Sequence, residues 1–149
     1  MDAPTGPADA QALAEACARA MWADDRASQG LGMAIARVAP GEAVMTMAVT
    51  ERMVNGHGLC HGGFIFTLAD SAFAFACNTY GQRTVAQHCA VTFLAPTRLG
   101  DALTAHAVEV ARNGRSGIYD ITVTGADGTV VAEFRGHSRT IKGSLLEGT

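Results

Sequence analysis

Asp70 is the only charged residue in the stretch 62–77, GGFIFTLADSAFAFAC, where nearly every other side chain is small or apolar. A carboxylate in such surroundings is costly unless it is paired, hydrogen-bonded or used. Residue type and position leave two roles open. One is a structural carboxylate that caps a loop or meets an arginine from a neighbouring strand. The other is a nucleophile or general base. Gly62 and Gly63 open the same stretch. If it is helical, its first turn carries unpaired N–H groups with partial positive charge, able to polarise a carbonyl or hold an oxyanion. Glycine also lets a substrate approach the backbone closely, although a simple turn would use a Gly-Gly pair equally well. Asn55 and His61 lie on the segment feeding this start and can orient a carbonyl or a water molecule. His61 has the chemistry of a general base, but its reading here is a residue that fixes the loop. His57 and His88 carry a weaker case. His57, His61 and Asp70 match no established zinc spacing, so no metal is expected.

A second group of candidates is Arg112-Asn113-Gly114-Arg115-Ser116, a basic turn whose guanidiniums and freed backbone donors suit phosphate groups. Arg135 and Arg139 are the alternatives. The chain has no P-loop, dinucleotide fingerprint, serine nucleophile elbow or strong Cys-His pair.

These residues need elements to position them. Alanine-rich residues 8–23 place Leu13, Cys17, Ala20 and Met21 near helical spacing and predict a short amphipathic helix. Leu31, Met33 and Ile35, then Val44, Thr46, Ala48 and Thr50, fall at period two on either side of Pro40-Gly41, which predicts two strands and a turn. Residues 51–61 are too glycine-rich for a regular element and form a shaped loop. Residues 62–77 form a helix buried on every side, too short to span a membrane. Four strands follow at 84–94, 102–111, 117–124 and 129–141, broken at Pro96-Gly100, Asn113-Gly114 and Asp127-Gly128. The expected architecture is α+β, an antiparallel sheet wrapped around one long helix.

The 149 residues suit one domain, 1–149, with 1–7 and 143–149 as flexible tails. Hydrophobic residues make up 48% and charged residues only 17%, an excess of apolar surface that oligomerisation would absorb. A net charge of -3 argues against nucleic acid as a partner, and no segment calls for a membrane. Cys17, Cys60, Cys77 and Cys89 form no CxxC pair, and the N-terminus lacks a signal-peptide pattern. Reduced thiols in a cytoplasmic protein are expected.

The segment Asn55-Gly56-His57-Gly58-Leu59-Cys60-His61-Gly62-Gly63, followed by Leu68-Ala69-Asp70, resembles the hotdog-fold thioesterases, most closely the phenylacetic acid degradation branch. The resemblance runs from about Met33 to Ile141 and includes Phe93-Leu94-Ala95-Pro96, Gly100-Asp101 and Phe134-Arg135-Gly136-His137-Ser138. It implies a hotdog fold and hydrolysis of acyl-CoA, with phenylacetyl-CoA or its ring-hydroxylated relatives as substrate. It implies Asp70 as the catalytic carboxylate and Gly63 N–H, helped by Gly62 N–H and Asn55, as the group that holds the thioester oxygen. It places coenzyme A phosphates near Arg112, Asn113, Arg115 and Ser116, and calls for neither metal nor cofactor beyond the coenzyme A of the substrate. Some related branches carry a hydroxyl on the strand after the helix, where this chain has Ala86; Gln87 and His88 are the possible substitutes. Phe64, Phe66, Phe73 and Phe75 serve core packing or line an aromatic pocket. The competing readings are a hotdog hydratase, whose motifs are absent, and a non-catalytic acyl-CoA-binding protein, which would not need Asp70 beside a polarising helix end.

Helix geometry adds a constraint. Gly62 and Asp70 are eight residues apart, about 12 Å along one helix, so one thioester carbon cannot touch both. If both act on one carbonyl, the carboxylate comes from another copy, and the expected unit is a dimer or a pair of dimers.

Overall fold

Alternating apolar and polar side chains carry the chain into six antiparallel strands around one helix in the computed structural model, which describes residues 5–146. Helix α1 (Pro7–Asp24) and a short α2 (Arg26–Gly30) precede strands β1 (Ala34–Ala39) and β2 (Glu42–Ala48). A single 3-10 turn, Glu51–Met53, leads through the loop to α3 (Gly62–Cys77). Strands β3 (Gln82–Phe93), β4 (Ala102–Asn113), β5 (Ser116–Thr124) and β6 (Val130–Ser144) complete the sheet, in the order β1-β2-β4-β5-β6-β3.

The bounds of α3 match those expected, while the segment before β1 differs. Leu31 ends α2 rather than opening a strand, because Asp25 caps that helix: its carboxylate accepts from Ser28 N–H at 2.9 Å and Ser28 O–H at 2.7 Å. The expected tails fall partly outside the described residues. Of the remainder, Pro7 opens α1, and Gly143 and Ser144 continue β6.

The core lies between α3 and the concave face of the sheet. Along β5, Tyr119, Ile121 and Val123 point inward and are buried, while Ile118, Asp120 and Thr122 point outward. Met45, Met47, Leu103, Ala105, Ala107 and Phe134 extend this inner surface. The aromatic ring of Phe73 sits against Gly136, where a Cβ would lie 2.5 Å from the ring, so only glycine admits the helix this closely. Phe73 and Phe75 are core residues, and Phe64 and Phe66 pack on its margin.

Among the described residues the ladders shift register at five places, two of which bear on the site: one between Glu109 and Ala111 in β4, the other between Ala86 and His88 in β3. A bulge flips the facing of later residues and bends its strand. Here Arg112 turns to the inner face opposite Gly117, and Ala86 faces inward opposite Ser138.

Helix α3 is not covered on every side within one chain. Gly63 is exposed, and Phe66, Thr67, Asp70 and Ala74, spaced by three or four residues from it, are only half-buried. β3, bonded only to β6, forms a free edge of 12 residues with Val85 and Phe93 exposed.

Candidate active site

The loop ahead of α3 is held by its own side chains. Asn55 Oδ1 accepts from His57 N–H at 2.9 Å and from Leu59 N–H at 3.1 Å, which leaves the amide Nδ2 donors free to face a ligand. Asn55 N–H donates to Leu59 O, and His61 N–H to Met53 O, both at 2.7 Å. His61 is the N-cap of α3: its Nδ1 accepts from Gly63 N–H at 2.9 Å. This decides which glycine can polarise a carbonyl. Gly63 N–H, the principal donor expected from the sequence, is already spent on the His61 ring. Gly62 N–H has no partner among the described residues and remains free at the positive end of the helix. A Cβ at Gly62 would lie 2.9 Å from the Phe93 ring, so the glycine also lets β3 close over the helix start.

Asp70 has neither an ion pair nor a hydrogen bond among the described residues. Among the described residues neither structural explanation that residue type left open, an arginine partner or a capped loop, is found. Burial alone pushes its carboxyl above the usual carboxylate range. Its charge acts on Cys89 of β3 and on Cys77, whose buried thiol is pushed up to about 12, chiefly by burial. Because Gly62 sits beside Phe93 and Asp70 beside Cys89, α3 runs antiparallel to β3 along the free edge.

His88 stands on the convex face of the sheet against His137, ring centroids 5.3 Å apart, turned away from the helix. Gln87 is the bulged residue. The hydroxyl nearest position 86 in register is Ser138, buried on the neighbouring strand and not singled out from the sequence.

A cavity of about 460 Å³ opens beside Gly62 and Asn55, walled by Leu59, Ile65, Phe93 and Pro96 and reaching Thr97. It places an apolar chamber beside a free N–H and a free amide, the arrangement needed to bind an acyl group and polarise its carbonyl. Sequence reading missed it because its walls come from three separate segments.

The basic turn divides. Arg112 does not project from it: its guanidinium lies over the Tyr80 ring, 3.6 Å from the centroid, and Nε is 3.6 Å from Glu109 Oε1. Tyr80 and Tyr119 donate to that same carboxylate oxygen at 2.9 and 3.0 Å. The bulge in β4 is the physical reason, since it turns Arg112 to the inner face opposite Gly117. Arg135 is likewise engaged, bidentate to Asp120 at 2.6 and 2.7 Å. Asn113, Arg115 and Ser116 remain exposed at the turn, and Arg139 Nη1 donates to Ser116 Oγ at 3.3 Å. Arg115 and Lys142 line a cavity of about 390 Å³ with Gln82 and Thr140, and Arg83 packs against Gly143. Among the described residues these four cations have no acidic partner.

Residues 57–132 match the thioesterase superfamily. The chain is 44% identical to the acyl-coenzyme A thioesterase PaaI of Escherichia coli K12 over 128 residues, 86% of this chain and 91% of that one. The solved structure of the E. coli PaaI protein from the phenylacetic acid degradation operon superimposes with a TM-score of 0.89, at 43% identity, covering 90% of this chain and 97% of that one. The smu.793 protein of Streptococcus mutans UA159, solved bound to acetyl CoA, is 25% identical with a TM-score of 0.71, covering 73% and 88% respectively. With its six-stranded sheet and enclosed helix, the chain belongs to the hotdog-fold acyl-CoA thioesterases of the thioesterase superfamily, in the PaaI branch.

Proposed function

We propose that this thioesterase hydrolyses phenylacetyl-CoA or ring-hydroxylated phenylacetyl-CoA at sites shared between two copies of the chain. The observation that carries the reading is Asp70: a half-buried carboxylate without a partner, on the open stripe of α3 and beside the free edge of β3. A long unshielded edge with apolar side chains favours pairing with another strand. If two β3 edges pair antiparallel about a two-fold axis near Val91, Phe93 of one copy stands level with Cys89 of the other. Asp70 of one copy then lies opposite Gly62 and Asn55 of its partner, which resolves the separation of about 12 Å within one helix.

In this arrangement Gly62 N–H and Asn55 Nδ2–H hold the thioester oxygen as it gains negative charge, and His61 keeps the helix start in place. Asp70 either attacks the carbonyl carbon or takes a proton from the attacking water. The C–S bond breaks and the coenzyme A sulfur takes up a proton; where Asp70 attacks, the acyl group passes to it as a mixed anhydride that water then hydrolyses, and where water attacks, the acyl group leaves directly as the carboxylic acid. Arg115, Ser116, Arg139 and Lys142 lie at the Gln82 end of β3, on the same side as Asp70, and serve the phosphates. The acetyl CoA carried by the S. mutans relative supports a coenzyme A site in this fold.

The test is subunit complementation. Asp70→Asn removes the carboxylate, and Asn55→Asp removes the amide donor while retaining the oxygen that holds the loop. Each variant alone is expected to be nearly inactive. After verified exchange of an equal mixture, half the dimers are heterodimers, each with one intact site, so activity returns to about a quarter of the wild-type value. Heterodimers without recovery, or a monomer with full activity, would defeat the shared site.

A further inference from the structure

His88 and His137 stand directly opposite each other on β3 and β6, on the convex face and away from the thioester chemistry. Among the described residues neither ring has a hydrogen bond or an ion pair; each meets only the other. His61 and His106 differ, since the first caps α3 and the second meets Glu42 at 2.8 Å. The pair occupies the last regular rung before the bulge at Gln87. Residues directly opposite in an antiparallel ladder have Cβ atoms about 4.5–5.5 Å apart, which brings two imidazoles within reach of one ion.

The spacing of the rings fits such an ion. Zinc holds an imidazole nitrogen at about 2.0–2.1 Å, and the ring centre lies about 1.1 Å further on, so two imidazoles on one tetrahedral ion have centroids about 5.2 Å apart. The centroids of His88 and His137 are 5.3 Å apart. The ring planes meet at 79°, and the broad χ2 torsion of histidine lets each ring aim a nitrogen at the space between them. The surroundings admit positive charge. Arg135, one step along the outer face of β6, is neutralised by the Asp120 carboxylate, and Arg139, one step the other way, reaches across to Ser116 Oγ at 3.3 Å. Ile118, the β5 neighbour of His137, is uncharged, as is Ala90 beside His88. Among the described residues no third histidine, cysteine or carboxylate joins the pair, so the remaining coordination positions go to water.

We propose that His88 and His137 form a two-point chelate for a divalent transition-metal ion of the nickel, copper or zinc class, which staples the free-edge strand β3 to β6. Imidazole suits these ions, and a ligand pair assembled only by the folded ladder makes binding a stabiliser of the fold. β3 gains most, because β6 is the one strand bonded to it among the described residues.

The probe is Ni²⁺ alone, titrated into the metal-free full-length protein at pH 7.5 in phosphate-free buffer and followed by calorimetry and thermal melting. One ion per chain is expected, with Tm rising by about 5–10 °C at a hundredfold excess over the measured Kd. His88→Ala, His88→Gln and His137→Gln should each weaken binding by at least about tenfold and remove most of the rise. Their metal-free melts should match wild type, because both side chains lie on the outer face without hydrogen bonds. His57→Gln and His106→Gln should keep both the affinity and the rise. A rise that persists in the folded His88 or His137 variants, one that disappears with His57 or His106 instead, or no rise in wild type at about 1 mM Ni²⁺ would overturn the proposal.

Discussion

Replacing Asp70 by asparagine should lower activity and raise stability at once. The substitution keeps shape and removes charge. Loss of a positioned base or nucleophile is worth roughly 100- to 10,000-fold in rate, so kcat for thiol release should fall by at least about two orders of magnitude. The stability term has the opposite sign. Burial raises the carboxyl pKa of the folded chain above its ordinary value, so the folded state holds the proton more tightly than the unfolded chain does. Protonated Asp70 is therefore tolerated, and the favourable contribution is complete below the ordinary carboxylate pKa. It is lost as pH rises through the raised value, and at neutral pH the ionised side chain is a cost. A pK unit corresponds to about 1.4 kcal/mol, reduced here because water screens the open side of the stripe.

The expected gain for Asp70→Asn at pH 7.5 is therefore on the order of 1 kcal/mol or less, a rise of up to about 4 °C in Tm for a chain of this size. The gain should shrink as pH falls through the raised pKa, as the wild-type carboxyl takes up its proton. Thermal melts of both proteins across that range, run beside thiol-release assays, measure the two effects on the same samples. A Tm that falls by several degrees at neutral pH would show that the carboxylate makes a stabilising contact, and near-normal turnover would show that it does no chemistry. Either result would refute the reasoning.

Two further outcomes follow from the packing and from the charges. Arg115→Gln with Arg139→Gln should raise KM for acyl-CoA about tenfold and leave an acyl-pantetheine ester, which lacks the nucleotide phosphates, nearly unchanged; Arg112→Gln should alter KM far less, because that guanidinium is spent on Glu109 and Tyr80. Gly136→Ala should destabilise the fold by about 1–3 kcal/mol in urea unfolding, since the added methyl meets the Phe73 ring at 2.5 Å and one of the two must move.

What could be read from the sequence was whatever follows from period and composition. Six strands and the exact span of α3 came from alternation and apolar content, and Asp70 stood out because its charge is alone in that span. The division of labour between Gly62 and Gly63 could not be read this way, because it depends on which N–H the His61 ring caps, a matter of two adjacent torsions.

The position of Arg112 has a more general cause. Strand alternation propagates only as far as the next bulge, and the register puts the β4 bulge after Glu109 and the β3 bulge after Ala86 on one row. Val110 is the extra residue opposite Ile118 and Tyr119; Ile118 pairs with His137; Gln87 is the extra residue opposite His137 and Ser138. Beyond that row the bulged strands reverse their facing. Arg112 is thereby folded over Tyr80, and Ala86 is turned inward opposite Ser138, while Arg115 at the tip of the β4–β5 turn stays in solvent. The β4 bulge thus sets apart two arginines of the basic turn, Arg112 folded over Tyr80 beside Glu109 and Arg115 in solvent, a distinction that two residues of identical type, three positions apart, carry nowhere in their spacing.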